Sequence, residues 1–294
     1  MDDCYKFQLR KFRAGFFDSF VDMTYIITMV GSHRMNHLEK QLKKYVPTKN
    51  IYIVYNKGYK NCNKKLRVYI PPYDITHAYF TIIEHSIRHN YNNILILEDD
   101  FIFNSNIKNS KIINELYDFF KNAPNIPFFY NLGALPLLFY PNFTFNNTYR
   151  GYMTATAHAI IYNKKIQLDL IKHKNDNIKL WDFYISEKYR NYFYKYPLCY
   201  QTFRESSNQE YWLCNTKNSI LCSSLNYIVN TFFKNINLNE KPEPGFYIIY
   251  SIVFVVHYIL IFLFISLIWI ICYYVAKNIK QLNYKNISKS KKIS

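Results

Sequence analysis

The chain has 294 residues, half of them hydrophobic, and 37 Lys and Arg against 20 Asp and Glu give it a net charge of +17. That apolar content excludes a disordered chain, and the length suits one large domain or two small ones. Six of the positive charges are lysines in residues 277–294; the rest are spread with no compact basic block, which suits a solvated surface or attraction to membranes and phosphates, and no nucleic-acid partner is expected.

Residues 1–21 read as an N-terminal extension, without the apolar core of a signal peptide. Residues 25–30 form a short apolar run that breaks at Gly31, and a helix follows over 34–45. Residues 51–55 give a second strand, ended by Asn56-Lys57-Gly58. Pro71-Pro72 then stop the chain ahead of a helix over 76–89, in which Ala78, Ile82, Ile83 and Ile87 share one face. Asp74 or Thr76 is its expected cap. Residues 94–97, Ile-Leu-Ile-Leu, are continuous and apolar, as in a strand buried on both faces. Later strands fall at 128–132 and 158–162. Strands separated by helices predict an α/β fold with a mainly parallel sheet between helices. Six cysteines lack paired metal-ligand spacing. Cys199, Cys214 and Cys222 offer a disulfide in an oxidising compartment, with free buried thiols the default.

Chemistry concentrates at Glu98-Asp99-Asp100, directly after that strand. Ligands of open α/β sheets bind at the carboxyl ends of strands. Adjacent carboxylates repel one another unless a cation or hydrogen-bond donors neutralise them. Hard divalent cations take such oxygen ligands, and Mg²⁺ or Mn²⁺ usually bridges to substrate phosphates. An apolar strand followed by this cluster therefore points to a metal–diphosphate site; a solvated acidic turn is the alternative.

The stretch Thr76-His-Ala-Tyr-Phe-Thr-Ile-Ile-Glu-His, followed by Asn92-Asn-Ile-Leu-Ile-Leu-Glu-Asp-Asp-Phe-Ile-Phe, resembles glycosyltransferase family 25, the lipooligosaccharide and collagen galactosyltransferase family. His77 falls at the family's His, with Thr76 in place of Ser. The segment from Gly151 through His158 to Lys165, then Trp181-Asp182 and Tyr196-Pro-Leu-Cys-Tyr-Gln201, resembles later parts of the family in the same order. The resemblance implies a GT-A-like domain over 22–205, a nucleotide-diphosphate sugar donor, a glycan or protein acceptor, and Mn²⁺ or Mg²⁺. It implies Asp100 as a metal ligand. Glu98 or Asp99 would hold the ribose or a metal-bound water, with Glu98 the second candidate ligand. Arg34 would reach the diphosphate and His77 the donor or metal. The family resembles inverting enzymes, which need a carboxylate base: Asp182 is the first candidate and Glu205 the second. Two other classes stay open, a metal-dependent phosphodiesterase using the same carboxylates and a non-catalytic membrane or envelope protein that keeps the fold.

Residues 206–245 read as a C-terminal extension and linker. From 245 to 276 there is no Asp, Glu, Lys or Arg. A helix needs about 20 apolar residues to cross a hydrocarbon core of ~30 Å, so residues 246–276 predict a single transmembrane helix. The Lys-rich tail, 277–294, favours a cytosolic C-terminus and a lumenal catalytic domain. Late insertion of a tail anchor would instead leave that domain in the cytosol. Asn142-Phe-Thr144 and Asn146-Asn-Thr148 are glycosylation sequons among Pro and polar residues.

Overall fold

The computed structural model describes residues 4–201, 220–236, 238 and 242–290. The chain opens with strand β1 (Tyr5–Lys11), followed by β2 (Met23–Met29), helix α1 (Met35–Lys44) and β3 (Asn50–Asn56). Next come α2 (Pro71–Arg88), β4 (Asn93–Glu98), β5 (Phe101–Phe103), α3 (Ser110–Asn122) and β6 (Phe128–Asn131). A hairpin of β7 (Leu135–Pro141) and β8 (Thr148–Ala155) leads to β9 (Ala159–Asn163), α4 (Lys164–Leu170) and α5 (Trp181–Lys188). Strands β10 (Arg190–Tyr194) and β11 (Cys199–Gln201) follow, then α6 (Ile220–Asn235) and α7 (Pro242–Ser290).

Nine strands form one sheet in the order β1-β3-β2-β4-β9-β6-β10-β8-β7, and β5 pairs with β11 apart from it. Only β2–β3, β2–β4 and β6–β10 run parallel. The other neighbours are antiparallel. The expectation of a mainly parallel sheet is therefore corrected to a mixed one. Alternating strands and helices were read as repeated βαβ crossovers; that holds for β2-α1-β3 and β3-α2-β4, whereas β7, β8 and β9 return without a helix between them. The N-terminal segment is likewise more than an extension, because β1 closes one edge of the sheet against β3.

Period-two alternation sorts the central strands into two cores. Ile26, Ile51, Ile53, Leu95 and Leu97 pack with Leu38 and Leu42 of α1 and Leu116 and Phe119 of α3. Tyr25, Ile27, Ile94 and Ile96 pack on the opposite side with α2, α4 and α5. Residues 94–97 are fully buried, as expected for a strand covered on both faces.

Helix α2 starts earlier than the sequence suggests. Pro71 and Pro72 occupy its first turn, where a missing N–H costs nothing, and no side chain caps it. Asp74 does not cap; its carboxylate is held by Lys64 and Asn56.

The sulfur chemistry also differs from expectation. Cys4 and Cys62 form a disulfide, while Cys199 is free and buried. Cys214 and the Cys222 side chain lie outside the described residues. Antiparallel pairing sets Tyr5 opposite Asn56, so the residue before β1 and the loop after β3 emerge side by side.

The chain divides into two units, residues 1–250 and 251–294. The first nine residues of α7 thus belong to the first unit. The stretch Phe246–Ile279 is long and apolar enough to cross a membrane.

Candidate functional site

The carboxyl ends of β2 and β4 lie side by side, and the crossovers through α1 and α2 leave on opposite faces of the sheet. That arrangement opens a crevice beyond the strand ends, the usual ligand position in such folds. Here it holds a cavity of about 430 Å³, lined among others by Ser32, Arg34, Asn61, Glu98 and Asp99. Gly31, at φ +77°, turns the chain at its rim, a conformation that costs a side-chain-bearing residue.

Asp99 and Asp100 are almost fully buried. Arg34, directly before α1, donates through Nη1 to Asp99 Oδ1 at 2.9 Å and to Asp100 Oδ2 at 3.1 Å. Asp99 Oδ2 also accepts from Thr28 Oγ1 at 2.7 Å and Ser32 Oγ at 3.0 Å. Gln201 Nε2 donates to Asp100 Oδ2 at 3.3 Å. Asp100 Oδ1 is buried without a hydrogen-bond partner. Burial pushes Asp100 up to about 6 against the pull of the Arg34 cation.

Glu98 ends β4 on the other side of the cluster. Burial, then Asp100, pushes its carboxyl up to about 8. Tyr79 Oη lies 2.9 Å from Glu98 Oε1 and 2.9 Å from the Ala157 carbonyl. A hydroxyl carries one proton, so a protonated Glu98 donating to Tyr79, which then donates to Ala157, satisfies both contacts.

Tyr79 connects this cluster to the 156–158 segment between β8 and β9. Thr156 has φ +73°, an outlier for a β-branched residue. Its N–H donates to Asp182 Oδ2 at 3.1 Å and its hydroxyl to the Gly133 carbonyl at 2.7 Å, while Asn131 Nδ2 donates to its carbonyl at 2.8 Å. Asp182 lies in the first turn of α5, and its Oδ1 also accepts from the Phe183 N–H. Burial raises its pKa. Strain held by three tethers beside a carboxylate cluster is a common mark of a working site.

The structure brings Arg34, Glu98, Asp99 and Asp100 together, with Asp182 joined to them through Thr156, Ala157 and Tyr79. His77 does not converge. It accepts or donates at 2.9 Å to Tyr5 Oη and lines a different cavity of about 860 Å³ with Thr76, Lys65, Arg67 and Lys174. Residues 73, 76, 77 and 80 of α2 face that second cavity, and residues 71, 74 and 75 face the first. Helical spacing, not chain proximity, separates them. Glu205 lies outside the described residues. Thr28, Ser32, Tyr79 and Thr156 were not anticipated as site residues.

Among the described residues, no three His, Cys, Asp or Glu side chains converge in a ready metal site. The donors at hand still fit a hard cation: they are carboxylate oxygens, and Asp100 Oδ1 is buried and unpaired.

No family profile matches this chain, and no curated protein does. Among solved structures it is similar to the crystal structure of a glycosyltransferase involved in the glycosylation of the major capsid of PBCV-1, at 10% identity and a TM-score of 0.34. The match covers 64% of this chain and 95% of that one. Chains that overlap so loosely need not share a fold, and the weight rests on the site's own geometry.

Proposed function

We propose that this chain is a membrane-anchored glycosyltransferase of GT-A type, akin to family 25. It would move a hexose from a nucleotide-diphosphate sugar to a hydroxyl of a glycan or protein, with inversion. One observation carries the reading: Asp100 presents a buried, unpartnered oxygen beside Arg34, next to a 430 Å³ cavity at the carboxyl ends of β2 and β4. A nucleotide diphosphate needs such a place, with a cation for its phosphates and a cavity for its nucleoside.

Asp100 would hold Mn²⁺ or Mg²⁺ through Oδ1, with the donor's phosphates and water completing the shell and Glu98 the second candidate ligand. Bound there, the metal supplies positive charge to the leaving diphosphate. Arg34 would add a second positive charge on the same side. Asp99, held by Thr28, Ser32 and Arg34, keeps a fixed orientation and is suited to a ribose hydroxyl or a metal-bound water. Asp182 is our candidate base for the acceptor hydroxyl. Each of its oxygens accepts one backbone N–H and has a lone pair left, and burial raises its basicity as a general base requires.

The catalytic unit would face away from the cytosol. The lysines after the apolar helix favour a cytosolic tail. The Cys4–Cys62 disulfide suits an oxidising compartment.

Calorimetry with UDP and GDP, with and without Mn²⁺, tests the assignment. Binding of one of them should require the metal, and Asp100→Ala should abolish that metal-dependent binding while leaving the circular dichroism spectrum unchanged. Equal affinity in wild type and variant would overturn it.

A further inference from the structure

The turn between β7 and β8, residues 142–147, projects from the outermost strands of the sheet. Phe143 is 94% exposed there, and Thr144 and Asn146 are exposed. Asn142 is half-buried, and its side-chain carbonyl accepts from the Thr144 N–H at 3.0 Å. Both asparagines begin a sequon, Asn142-Phe-Thr144 and Asn146-Asn-Thr148. A sequon alone is weak in an Asn-rich chain. Two further observations point the same way: the Cys4–Cys62 disulfide joins β1 to the loop after β3 in this same unit, and the lysines follow the apolar helix.

We propose that this turn is a site of N-linked glycosylation, with Asn146 the principal acceptor and Asn142 the second. The inference rests on the placement of the catalytic unit outside the cytosol. The donor would be a lipid-linked diphospho-oligosaccharide of the secretory pathway. The bond from its anomeric carbon to the diphosphate breaks, a bond from that carbon to Asn146 Nδ2 forms, the nitrogen gives up one proton, and the lipid diphosphate leaves. Among the described residues, Phe143, Thr144 and Asn146 stand exposed at the turn, which leaves room for the product. In sheet order β7 lies five strands from β4, so a glycan on the turn leaves the donor cavity open. It would also shield part of an edge strand that exposes Leu138 and leads to the bare Phe143 ring, the kind of edge that invites pairing with other chains.

The chain contains its own reciprocal reporter. Asn286-Ile-Ser288 is a third sequon, beyond the apolar stretch Phe246–Ile279 of α7. The test is expression of the full chain in eukaryotic cells, followed by peptide-N-glycosidase digestion in heavy-oxygen water and peptide mass spectrometry, with protease protection of intact microsomes alongside. Label is expected at Asn146 and not at Asn286, with the catalytic unit protected and the gel shift lost in the doubly substituted Asn142→Gln, Asn146→Gln chain. A protected unit without label at Asn146 would overturn the glycosylation while leaving sidedness intact. Label at Asn286, or digestion of the catalytic unit without detergent, would overturn both.

Discussion

Arg34 reaches both Asp99 and Asp100 through a single nitrogen, so its planar fork is not what the pair requires. A point charge at that position should serve in part. Arg34→Ala leaves two buried carboxylates without their cation and is expected to cost about 3 kcal/mol of unfolding free energy, as removal of one partner from a buried pair does. Arg34→Lys should recover at least half of that loss in the same urea titration; no recovery would mean that guanidinium shape matters more than charge. Protonation of Asp100 gives a second expectation. With its carboxyl pushed up to about 6, a proton competes with a metal below that pH. Metal-dependent nucleotide affinity should rise about tenfold per unit from pH 5 towards 6, then flatten, as expected when one ligand proton is displaced. Calorimetry across that range would show it, and a flat profile would remove Asp100 from the ligand set. Thr156 allows a third. Thr156→Gly relieves about 1–3 kcal/mol of backbone strain but loses the hydroxyl bond to Gly133, worth about 1 kcal/mol. Thr156→Val keeps the strain and loses the bond, so thermal melts should rank glycine above valine. The three adjacent carboxylates were legible in the sequence because chain neighbours after a buried strand stay neighbours in space. Thr28, Ser32 and Gln201 were not, because each arrives from a distant segment. His77 was misplaced because spacing along α2 shows which residues share a face but not which cavity that face meets.

At the level of elements, the loop after β3 is fastened twice. Lys64, fully buried, pairs with Asp74 of α2 and with Asn56 at the end of β3, and Cys62 is bonded to Cys4 before β1. This loop carries Gly58, Lys60 and Asn61 into the lining of the 430 Å³ cavity, so by the proposed function its anchorage bears on ligand binding as well as on stability. Replacing both cysteines by serine reopens a sequence separation of 58 residues, for which the chain-entropy cost is about 2–4 kcal/mol. The expected result is a lower melting temperature for Cys4→Ser, Cys62→Ser together with weaker nucleotide binding. Unchanged binding would show that Lys64 alone holds the cavity wall. The first βαβ crossovers could be read from sequence because apolar runs and helical faces alternate there with clear breaks at Gly31, Gly58 and the Pro71-Pro72 pair. Strand direction farther on could not. The apolar run at 159–163 looks the same whether the chain arrives from a helix or from a hairpin, and only the pairing of Leu97 with Ala159 shows that it runs antiparallel to β4.

At the scale of the whole molecule, the boundary between the two units falls inside α7. Composition places it near residue 245, where charges cease. Packing places it later. Phe246 is fully buried against Tyr200 and Leu238, and its ring stands edge-on to His158 at 6.1 Å. Tyr250 is buried and donates from its hydroxyl to the Tyr194 carbonyl at 3.3 Å. The start of α7 therefore completes the core behind β11, the strand whose Gln201 reaches Asp100. A chain ending at Glu240 would be freed from the membrane but would expose that surface. Loss of one buried Phe side chain alone costs about 2–3 kcal/mol, and Tyr250 adds to it. A chain ending at Tyr250 keeps both contacts and lacks most of the apolar run. Both shortened chains should leave carbonate-washed membranes while the full chain stays. The chain ending at Tyr250 should melt several degrees above the one ending at Glu240 and bind nucleotide more tightly, because Gln201 is held in place. Equal melting temperatures would show that the first turns of α7 belong to the anchor alone.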